Sequence, residues 1–202
     1  GDVYKRQGHS GLHSETPKTP SEHIDHHIVG SNRIVLEKAQ QLLQKEGIAT
    51  SIINEPLQGD TNQVTKKLLE FFKMHQEKTH AYIFGGEVTV VVEGNGKGGR
   101  NQHLCLNILT QCDLSCDITF MSAATDGVDG NSNAAGALID THSLVDAKAR
   151  HIDPKHYLDS FDSNSFFEQS GELLITGPTH NNLLDIMIML IESNPKQRML
   201  HG

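Results

Sequence analysis

Two cations lie in a glycine-rich loop near the middle of the chain. Lys97 and Arg100 stand in the sequence GNGKGGRNQ, residues 94–102. An apolar β-branched run precedes this loop, and a helical pattern begins at His103. A strand, a glycine loop and a helix start direct backbone N–H groups and the positive helix end toward an anion. The predicted phosphate- or carboxylate-binding residues of this loop are Lys97, Gly98, Gly99, Arg100, Asn101 and Gln102. The alternative is a flexible hairpin with two solvated cations.

Two carboxylates form a second candidate centre. Asp126 and Asp129 lie in the sequence TDGVDG, directly after an apolar run that predicts a buried strand. Such a pair could hold Mg²⁺ together with water, or orient a substrate hydroxyl as a base. The alternative is a pair of Asx turns in which each carboxylate satisfies its own backbone. Both interpretations stay open at this point.

The glycine loop also fits the dinucleotide fingerprint G-x-G-x-x-G at Gly94, Gly96 and Gly99. That match predicts an NAD(P)-dependent reductase as an alternative function. Lys97 and Arg100 stand where the fingerprint usually has small apolar residues. The acid that would bind the ribose should close the next strand, and Asp126 comes somewhat late for that role.

Alternating strand and helix patterns are expected to position these residues. Residues 27–29 and 48–53 are predicted strands that flank a helix, which predicts a parallel pair. Gly85 and Gly86 are predicted to turn the chain from one strand into the next. The resulting fold class is α/β, with a mixed, largely parallel sheet and flanking helices. Loops at the carboxyl ends of strands, residues 94–101, 125–131 and 176–182, are expected to converge on one cleft.

Composition narrows the function classes. The 202 residues carry a net charge of −8, which argues against a general nucleic-acid or anionic-membrane surface. The longest apolar run, residues 183–191, is too short to span a bilayer. Three cysteines, an odd number, are expected to be reduced thiols of a cytoplasmic protein.

The two ends of the chain are predicted not to belong to the folded domain. Residues 1–7 resemble the translation of a sequencing-library adapter, so they are interpreted as a non-native segment. Residues 8–23 are predicted to be a disordered linker and residues 194–202 a disordered tail. The domain itself is expected to span residues 24–193. An adapter scar would also mean that something N-terminal is missing.

Several motifs, in order along the chain, resemble the C-terminal part of the glycerate 2-kinase family, the MOFRL-domain family, some of whose members carry the name hydroxypyruvate reductase. The motifs are GGExT at 85–89, GxGxGGRNQ at 94–102, TDGxDG at 125–130, AGA at 135–137, DSxxFF at 162–167 and TGPT at 176–179. Ser31 and Asn32 also resemble the segment that precedes the family's domain. The similarity covers roughly residues 24–191.

The resemblance implies ATP-dependent phosphorylation of D-glycerate at the 2-hydroxyl, with Mg²⁺. It implies Arg100, Asp126 and Asp129 as catalytic residues, with the two aspartates as metal ligands. It also implies a missing N-terminal domain as the other half of the cleft, and it leaves a homodimer open. Further substrate- or phosphate-binding residues implied are Ser31, Asn32, Gly86, Glu87, Ser163, Thr176, Thr179 and Asn182. A non-catalytic ligand-binding module is the remaining alternative.

The sequence departs from the family pattern at three places. His103 replaces the usual acid after Arg-Asn-Gln, and Phe161 stands where an Asn commonly precedes Asp-Ser. The segment after Thr179 keeps Asn182 and Asp185 but has Leu184 in place of a second Asn.

Overall fold

The structure is a computed structural model that describes residues 10–11, 25, 27–76, 78–112 and 117–193. The predicted adapter-like segment, the predicted tail and nearly all of the predicted linker lie outside the described residues. The helices in these ranges are α1 (Asn32–Lys45), α2 (Thr61–Met74), α3 (Arg100–Gln111), α4 (Ser143–Ala149), α5 (Pro154–Asp159) and α6 (Ser163–Ser170). The strands are β1 (Thr50–Asp60), β2 (His80–Thr89), β3 (Ile118–Ala124), β4 (Gly136–Ile139), β5 (Leu173–Leu174) and β6 (Asp185–Ile191).

Local signals explain where the first two helices begin. Ser31 Oγ accepts a hydrogen bond from the Ile34 amide, and Asp60 Oδ1 accepts one from the Asn62 amide, so each residue is an N-cap. In α2 the apolar residues recur at helical spacing and are buried, as at Val64. The helix predicted between residues 29 and 48 is present as α1.

The six strands form one mixed sheet in the order β1-β2-β6-β3-β4-β5. Only β1 and β2 run parallel, joined through α2, and the other neighbouring pairs are antiparallel. The α/β class with a mixed sheet is confirmed, but the expectation of a largely parallel sheet is wrong. The reason is that β6 enters the middle of the sheet antiparallel to both of its neighbours.

Two predicted local features are also wrong. Residues 27–29 form no strand, and the side chains of Ile28 and Val29 are 82% and 95% exposed. Gly85 and Gly86 do not turn the chain, because β2 continues through them to Thr89. Gly85 faces the Asn32 side chain and Gly86 faces the Leu57 backbone, so both glycines permit close contact inside the sheet.

The main hydrophobic core lies between one face of the sheet and the helices α2, α3, α4 and α6. Helix α3 is buried along most of its length, and Leu104 and Leu106 are fully buried. They pack with Phe120 of β3 and Met187 of β6. Helix α1 packs at Gly85 of β2, on the opposite face of the sheet. In the part of the chain that the structure describes, no helix is long and apolar enough to cross a membrane.

Candidate active site

Arg100 is the first residue of α3 and forms a bidentate ion pair with Asp185. Its Nε donates to Asp185 Oδ2 at 2.7 Å, and its Nη2 donates to Oδ1 at 2.9 Å. The side chain of Asp185 is fully buried, whereas that of Arg100 is 27% exposed. Among the described residues nothing accepts a hydrogen bond from Nη1. Two parallel bonds fix the plane of the guanidinium, so its free edge faces solvent in a set orientation.

The sheet determines where Asp185 lies. As the first residue of β6 it pairs with Gly86 of β2 on one side and with Ala124 of β3 on the other. An aspartate in this central position needs a cation, because a buried unpaired carboxylate is costly. The hydrogen bond with Asp185 raises the pKa of Arg100, and the charges of Asp129 and Glu87 add to the increase. The guanidinium is therefore a permanent cation.

Asp129 caps the amino end of α3 from a distant part of the sequence. Its Oδ1 accepts from the Asn101 amide at 3.1 Å and from Asn101 Nδ2 at 3.2 Å. Its Oδ2 accepts from both the backbone amide and Nε2 of Gln102 at 2.9 Å. Burial raises the pKa of Asp129, and these four donors oppose that effect.

The predicted catalytic and metal-binding role of Asp129 does not fit this environment. Asp129 is 0% exposed and its two oxygens already accept four hydrogen bonds, so neither oxygen is open to a metal ion or substrate. Asn101 and Gln102, predicted to bind phosphate, are also 0% exposed and hold Asp129 instead. These three residues therefore have a structural role at the amino end of α3, next to Arg100.

The backbone of the glycine loop is also already used. The Lys97 amide donates to Asp162 Oδ1 at 2.9 Å, and the Gly98 amide donates to Asn131 Oδ1 at 2.8 Å. Gly99 lies so close to the Asp129 carboxylate that a Cβ would overlap it. The amides of Lys97 and Gly98 are therefore not free to bind an anion, contrary to the expectation for this loop. The glycines allow three loops to pack together, and the Arg100 side chain is the predicted anion-binding group that remains open.

A cavity of about 450 Å³ lies beside Arg100. Its polar wall contains Arg100, Glu87, Gly98, Gly99 and Ser163, and its apolar wall contains Val88, Val90 and Val92. Glu87 is exposed and Ser163 is buried at the start of α6. The structure thus brings five of the predicted site residues to one cavity. Lys97 is exposed and is not part of the wall.

His103 and Phe161, two of the residues at which the sequence departs from the family pattern, are in contact with each other. Their rings stack with centroids 5.1 Å apart and planes only 3° from parallel. Both rings line the cavity. Burial lowers the pKa of His103, and the charge of Asp60 opposes that effect. The pair gives the cavity a flat aromatic wall.

Asp126 belongs to a second polar group next to Asp185. Its Oδ1 accepts from the Val128 amide at 3.0 Å, as expected for an Asx turn, and its carbonyl accepts from the Thr179 amide at 2.9 Å. Thr179 Oγ1 also donates to the Thr125 carbonyl at 2.6 Å. The Thr125 amide in turn donates to the carbonyl of Leu184, which precedes Asp185. The loops 125–131 and 176–182 therefore meet, as predicted, but Asp126 does not line the cavity at Arg100.

The remaining predicted binding residues have local structural contacts. Ser31 caps α1, and Asn32 Nδ2 donates to the carbonyls of Leu183 and Asp185 at 2.7 and 3.1 Å. Gly86 lies against the β1 backbone. Thr176 Oγ1 donates to the Gly177 carbonyl, and Asn182 Oδ1 accepts from the Leu184 amide. Asn32 thus ties α1 to the start of β6, beneath Arg100.

The predicted Mg²⁺ site at Asp126 and Asp129 stays a prediction. Within the described ranges no three His, Cys, Asp or Glu side chains cluster as metal ligands would. Asp126 is half-buried, and only its Oδ1 accepts a hydrogen bond from a described residue. Mg²⁺ commonly takes one or two carboxylates together with substrate phosphates. Asp126 fits that limited role, whereas Asp129 does not.

Asp185, Asn131 and Asn164 were missed as site residues by the sequence reasoning. Asn164 Nδ2 donates to Gln102 Oε1 at 2.8 Å, which fixes the amide that holds Asp129. Only Asp185 carries a usable sequence signal. It is a charged residue at the start of the apolar run DIMIMLI, and a charge in a buried strand requires a partner.

Fold and site together define a mixed α/β domain with an Arg100–Asp185 ion pair beside a cavity at the start of strand β6. The family model described as the MOFRL family matches residues 80–185, which is more than half of the chain. The chain belongs to the MOFRL family, and the family resemblance read from its motifs is confirmed.

Similar proteins support the same family assignment. D-glycerate 2-kinase of Thermotoga maritima is 37% identical over 183 residues, which are 88% of this chain and 44% of the relative. A putative hydroxypyruvate reductase of Agrobacterium vitis is 30% identical over 88% of this chain and 42% of the relative. The crystal structure of a glycerate kinase from Thermotoga maritima matches with a TM-score of 0.80 and 33% identity, covering 94% of this chain and 50% of that one. The chain spans about half the length of the relatives it matches.

Proposed function

We propose that this chain forms one half of the active cleft of a glycerate 2-kinase. The reaction transfers the γ-phosphoryl group of ATP to the 2-hydroxyl of D-glycerate. The bond from the γ-phosphorus to ADP breaks, a bond to the glycerate oxygen forms, and the hydroxyl proton leaves to a base. The observation that carries the proposal is the bidentate Arg100–Asp185 pair, which presents a fixed cation with a free edge at the 450 Å³ cavity.

The geometry suits phosphoryl transfer because this reaction depends mainly on positioning and on stabilising negative charge. Arg100 can bind the transferring phosphoryl group or the glycerate carboxylate in a bidentate way. Asp185 prevents the guanidinium from turning away. Glu87 lines the same cavity and can accept a hydrogen bond from a substrate hydroxyl. We assign anion binding to Arg100 and hydroxyl orientation to Glu87.

Mg²⁺ would be held by Asp126 and by the phosphates of the nucleotide. When bound, it would neutralise charge on the phosphate oxygens. Thr179 and the Thr125 backbone hold the Asp126 turn in place through their hydrogen bonds. The rest of the cleft, including the other contacts to ATP and glycerate, is assigned to the part of the relatives that this chain does not span. We therefore expect the isolated chain to be inactive.

A chimera tests the proposal. Residues 24–193 would replace the matching half of the Thermotoga maritima D-glycerate 2-kinase, and ATP consumption on addition of D-glycerate would be measured. We expect turnover from the chimera and none from the isolated chain. The Arg100→Ala change should lower kcat/KM by on the order of 100-fold, about 2.7 kcal/mol of transition-state stabilisation.

Lys97→Ala is the matched control for loss of a positive charge in the same loop. Lys97 is exposed and does not line the cavity, so we expect less than about a threefold loss, because screened surface charges contribute little. Equal losses from both changes would show that only the overall charge matters. A loss below about threefold for Arg100→Ala would reject its assigned role.

A reductase that uses NAD(P) fits the structure less well. The fingerprint needs the dinucleotide pyrophosphate at the helix start, where the Asp129 carboxylate already accepts the α3 amides. Strand β2 also ends at Thr89, well before α3 begins at Arg100, so the tight strand-to-helix turn is absent. Oxidation of NADH by the chimera on addition of hydroxypyruvate, without ATP consumption on addition of glycerate, would favour the reductase.

A further inference from the structure

In the described part of the chain, a helix covers only part of the sheet face that carries α1. Helix α1 packs on β1, β2 and β6, whereas the other described helices contribute to the main core on the opposite face. Neighbouring strands lie about 4.8 Å apart, so six strands span about 24 Å, and one helix is about 10–12 Å wide. Helix α1 therefore leaves the β3–β4 side of its own face open.

One row of side chains across this face shows where the cover ends. Strand pairing aligns four residues in the row, which are Ile83 of β2, Ile188 of β6, Met121 of β3 and Leu138 of β4. The row lies on the α1 face because Ile83 is two residues from Gly85, which packs against α1. Ile83 is 0% exposed and Leu138 is 37% exposed, with two half-buried residues between them. The row is apolar throughout, so its open end leaves apolar surface in water.

The sequence of β6 has the pattern of a strand that is buried on both faces. An antiparallel strand with one face in water alternates apolar and polar residues. After Asp185, every residue of β6 is apolar, and the alternation of side chains places Ile186, Ile188 and Leu190 on the α1 face. All three are only half-buried. A further element covering this face would bury them and would stabilise the protein through the hydrophobic effect.

Helix α1 presents an apolar flank toward the open side. Its other flank is held at β1, since Arg33 Nη1 donates to Asn54 Oδ1 at 2.7 Å and Gln40 Nε2 donates to the Thr50 carbonyl at 3.0 Å. Successive residues of a helix are about 100° apart, so Leu42 lies on the flank opposite to Arg33 and Gln40. Leu42 is apolar and 52% exposed. An apolar groove therefore lies between α1 and β4, with β6 and β3 as its floor.

The groove has the width of one helix. The distance from β6 to β4 is two strand spacings, about 9.6 Å, and packed helices lie about 8–10 Å apart. A second helix beside α1 would cover Ile188, Met121 and Leu138 together. Helices on both faces of a sheet are the usual way in which α/β domains bury their apolar surfaces.

Two observations indicate where the covering helix comes from. The relatives that the chain matches are about twice as long as the part that it spans. The chain also enters α1 beside the groove, because Gly30 lies against Leu183, two residues before β6 begins. Just before Gly30, the apolar residues Ile28 and Val29 are 82% and 95% exposed. The strand residues of β3, β4 and β6 on this face carry no charge, which suits a permanent contact more than a transient one.

We propose that an amphipathic helix from the part of the full-length protein that this chain does not span packs in the groove beside α1. The groove lies on the opposite face of the sheet from α3, at whose start Arg100 stands. This contact is therefore separate from the contacts assigned to the same part at the active cleft. The inference depends on the packing of the domain and does not require the kinase reaction.

Cysteine labelling measures the cover directly. Leu138→Cys places a thiol in the groove, and Val145→Cys is the matched control at a 52% exposed position on α4. Both changes would be made in the 202-residue chain and in the Thermotoga maritima chimera, and maleimide modification of each position would be followed by peptide mass spectrometry. We expect the Leu138→Cys thiol to react at least about tenfold more slowly in the chimera, because a covered thiol reacts only when its cover opens. The control should react at similar rates in both proteins.

Equal rates for Leu138→Cys in the chain and the chimera would overturn the proposal. Slow reaction in the chain alone would also overturn it, because another part of this chain would then cover the groove. Circular dichroism would verify that each protein is folded. The labelling needs neither ATP nor glycerate, so an inactive chimera with a protected thiol would reject the proposed function and support the groove.

Two measurements on the 202-residue chain test the groove without the chimera. Nile red is an uncharged dye that fluoresces on apolar surfaces, so Arg100 does not attract it. We expect the Leu138→Lys change to remove most of its fluorescence and Val145→Lys to leave it unchanged; no difference between the two would overturn the groove. Sedimentation velocity tests the other occupant. A dimer that Leu138→Lys dissociates would show that a second copy fills the groove, and the proposal would fail.

Photo-crosslinking tests whether the cover is a helix. Benzoylphenylalanine in place of Leu138 would be crosslinked in the chimera, and the linked residues would be mapped by mass spectrometry. We expect them in the Thermotoga maritima half, recurring about every three or four positions as on one face of a helix. Links that recur at every second position would indicate a strand and would overturn the assignment of a helix.

Discussion

Replacing Asp129 by Asn distinguishes a structural carboxylate from a catalytic one. The two oxygens of Asp129 accept four hydrogen bonds, two from backbone amides and two from the side chains of Asn101 and Gln102. An Asn side chain keeps one acceptor oxygen and turns an NH₂ group toward the other two donors. Asp129→Asn therefore removes two hydrogen bonds to a charged group and places donors against donors.

The expected cost follows from these contacts. A hydrogen bond to a charged group contributes about 1.5–3 kcal/mol, so losing two costs about 3–6 kcal/mol. Removing a buried charge offsets part of this, because burial raises the pKa of Asp129 and so disfavours the ionised form. We expect the free energy of unfolding to fall by about 3 kcal/mol, a large part of the 5–15 kcal/mol of a typical domain.

Urea unfolding followed by circular dichroism measures this change, with Asp126→Asn as the matched control. Asp126 is half-buried and accepts one bond at Oδ1, which the Asn oxygen can also accept. We expect the control to cost less than about 1 kcal/mol while it lowers the activity of the chimera. A loss below about 1 kcal/mol for Asp129→Asn would refute the capping role and return Asp129 to the list of metal ligands.

Three further predictions concern the surroundings of Arg100. Asp185→Asn leaves the guanidinium without its charged partner, so kcat/KM of the chimera should fall at least about tenfold although Arg100 is still present; an unchanged value would show that Asp185 does not position it. Gly99→Ala should destabilise the domain by about 2 kcal/mol or more because its Cβ overlaps Asp129, whereas Gly30→Ala, with only Leu183 side-chain atoms at 3.5 Å, should be nearly neutral in the same urea titration. Burial lowers the pKa of His103 below 6.5. As the pH falls, the unfolded chain therefore takes up this proton before the folded chain does. The free energy of unfolding falls as the pH drops from about 6.5 toward the folded pKa, by at most about 1.4 kcal/mol per pH unit. The wild type should therefore lose more stability than His103→Gln between about pH 7.5 and pH 5.5. Equal losses would contradict a lowered pKa of His103 in the folded chain.

Local patterns were sufficient to predict α1, α3 and the family, but not the sheet. Helical spacing of apolar residues in α2 and the cap at Asp60 are visible in the sequence and are present in the structure. Strand direction depends on which partner a strand finds, and nothing in the run 185–191 encodes that it lies antiparallel between β2 and β3. Gly85 and Gly86 were misassigned for a similar reason, because the atoms that require glycine there come from distant segments.

The sequence predicted the location of the candidate site better than it predicted the role of each residue there. Arg100 and the loops around it were expected together and do lie together. Asp126 and Asp129 look equivalent in TDGVDG, yet one is half-buried in an Asx turn and the other is fully buried under α3. Burial is a tertiary property, so the sequence could not separate them. Asp185 was missed because its importance comes from the guanidinium that it binds across the fold.

The position of β6 has a consequence for synthesis of the chain on the ribosome. Among the described strands, β6 is the last along the sequence, yet within the sheet it joins the β1–β2 pair to the β3–β4–β5 group. Until residues 185–191 have left the exit tunnel, β2 and β3 each keep an open edge, and open strand edges are prone to pairing with other chains. The residue that orients Arg100 is also the first of this strand, so the anion site and the continuous sheet arise in the same folding step.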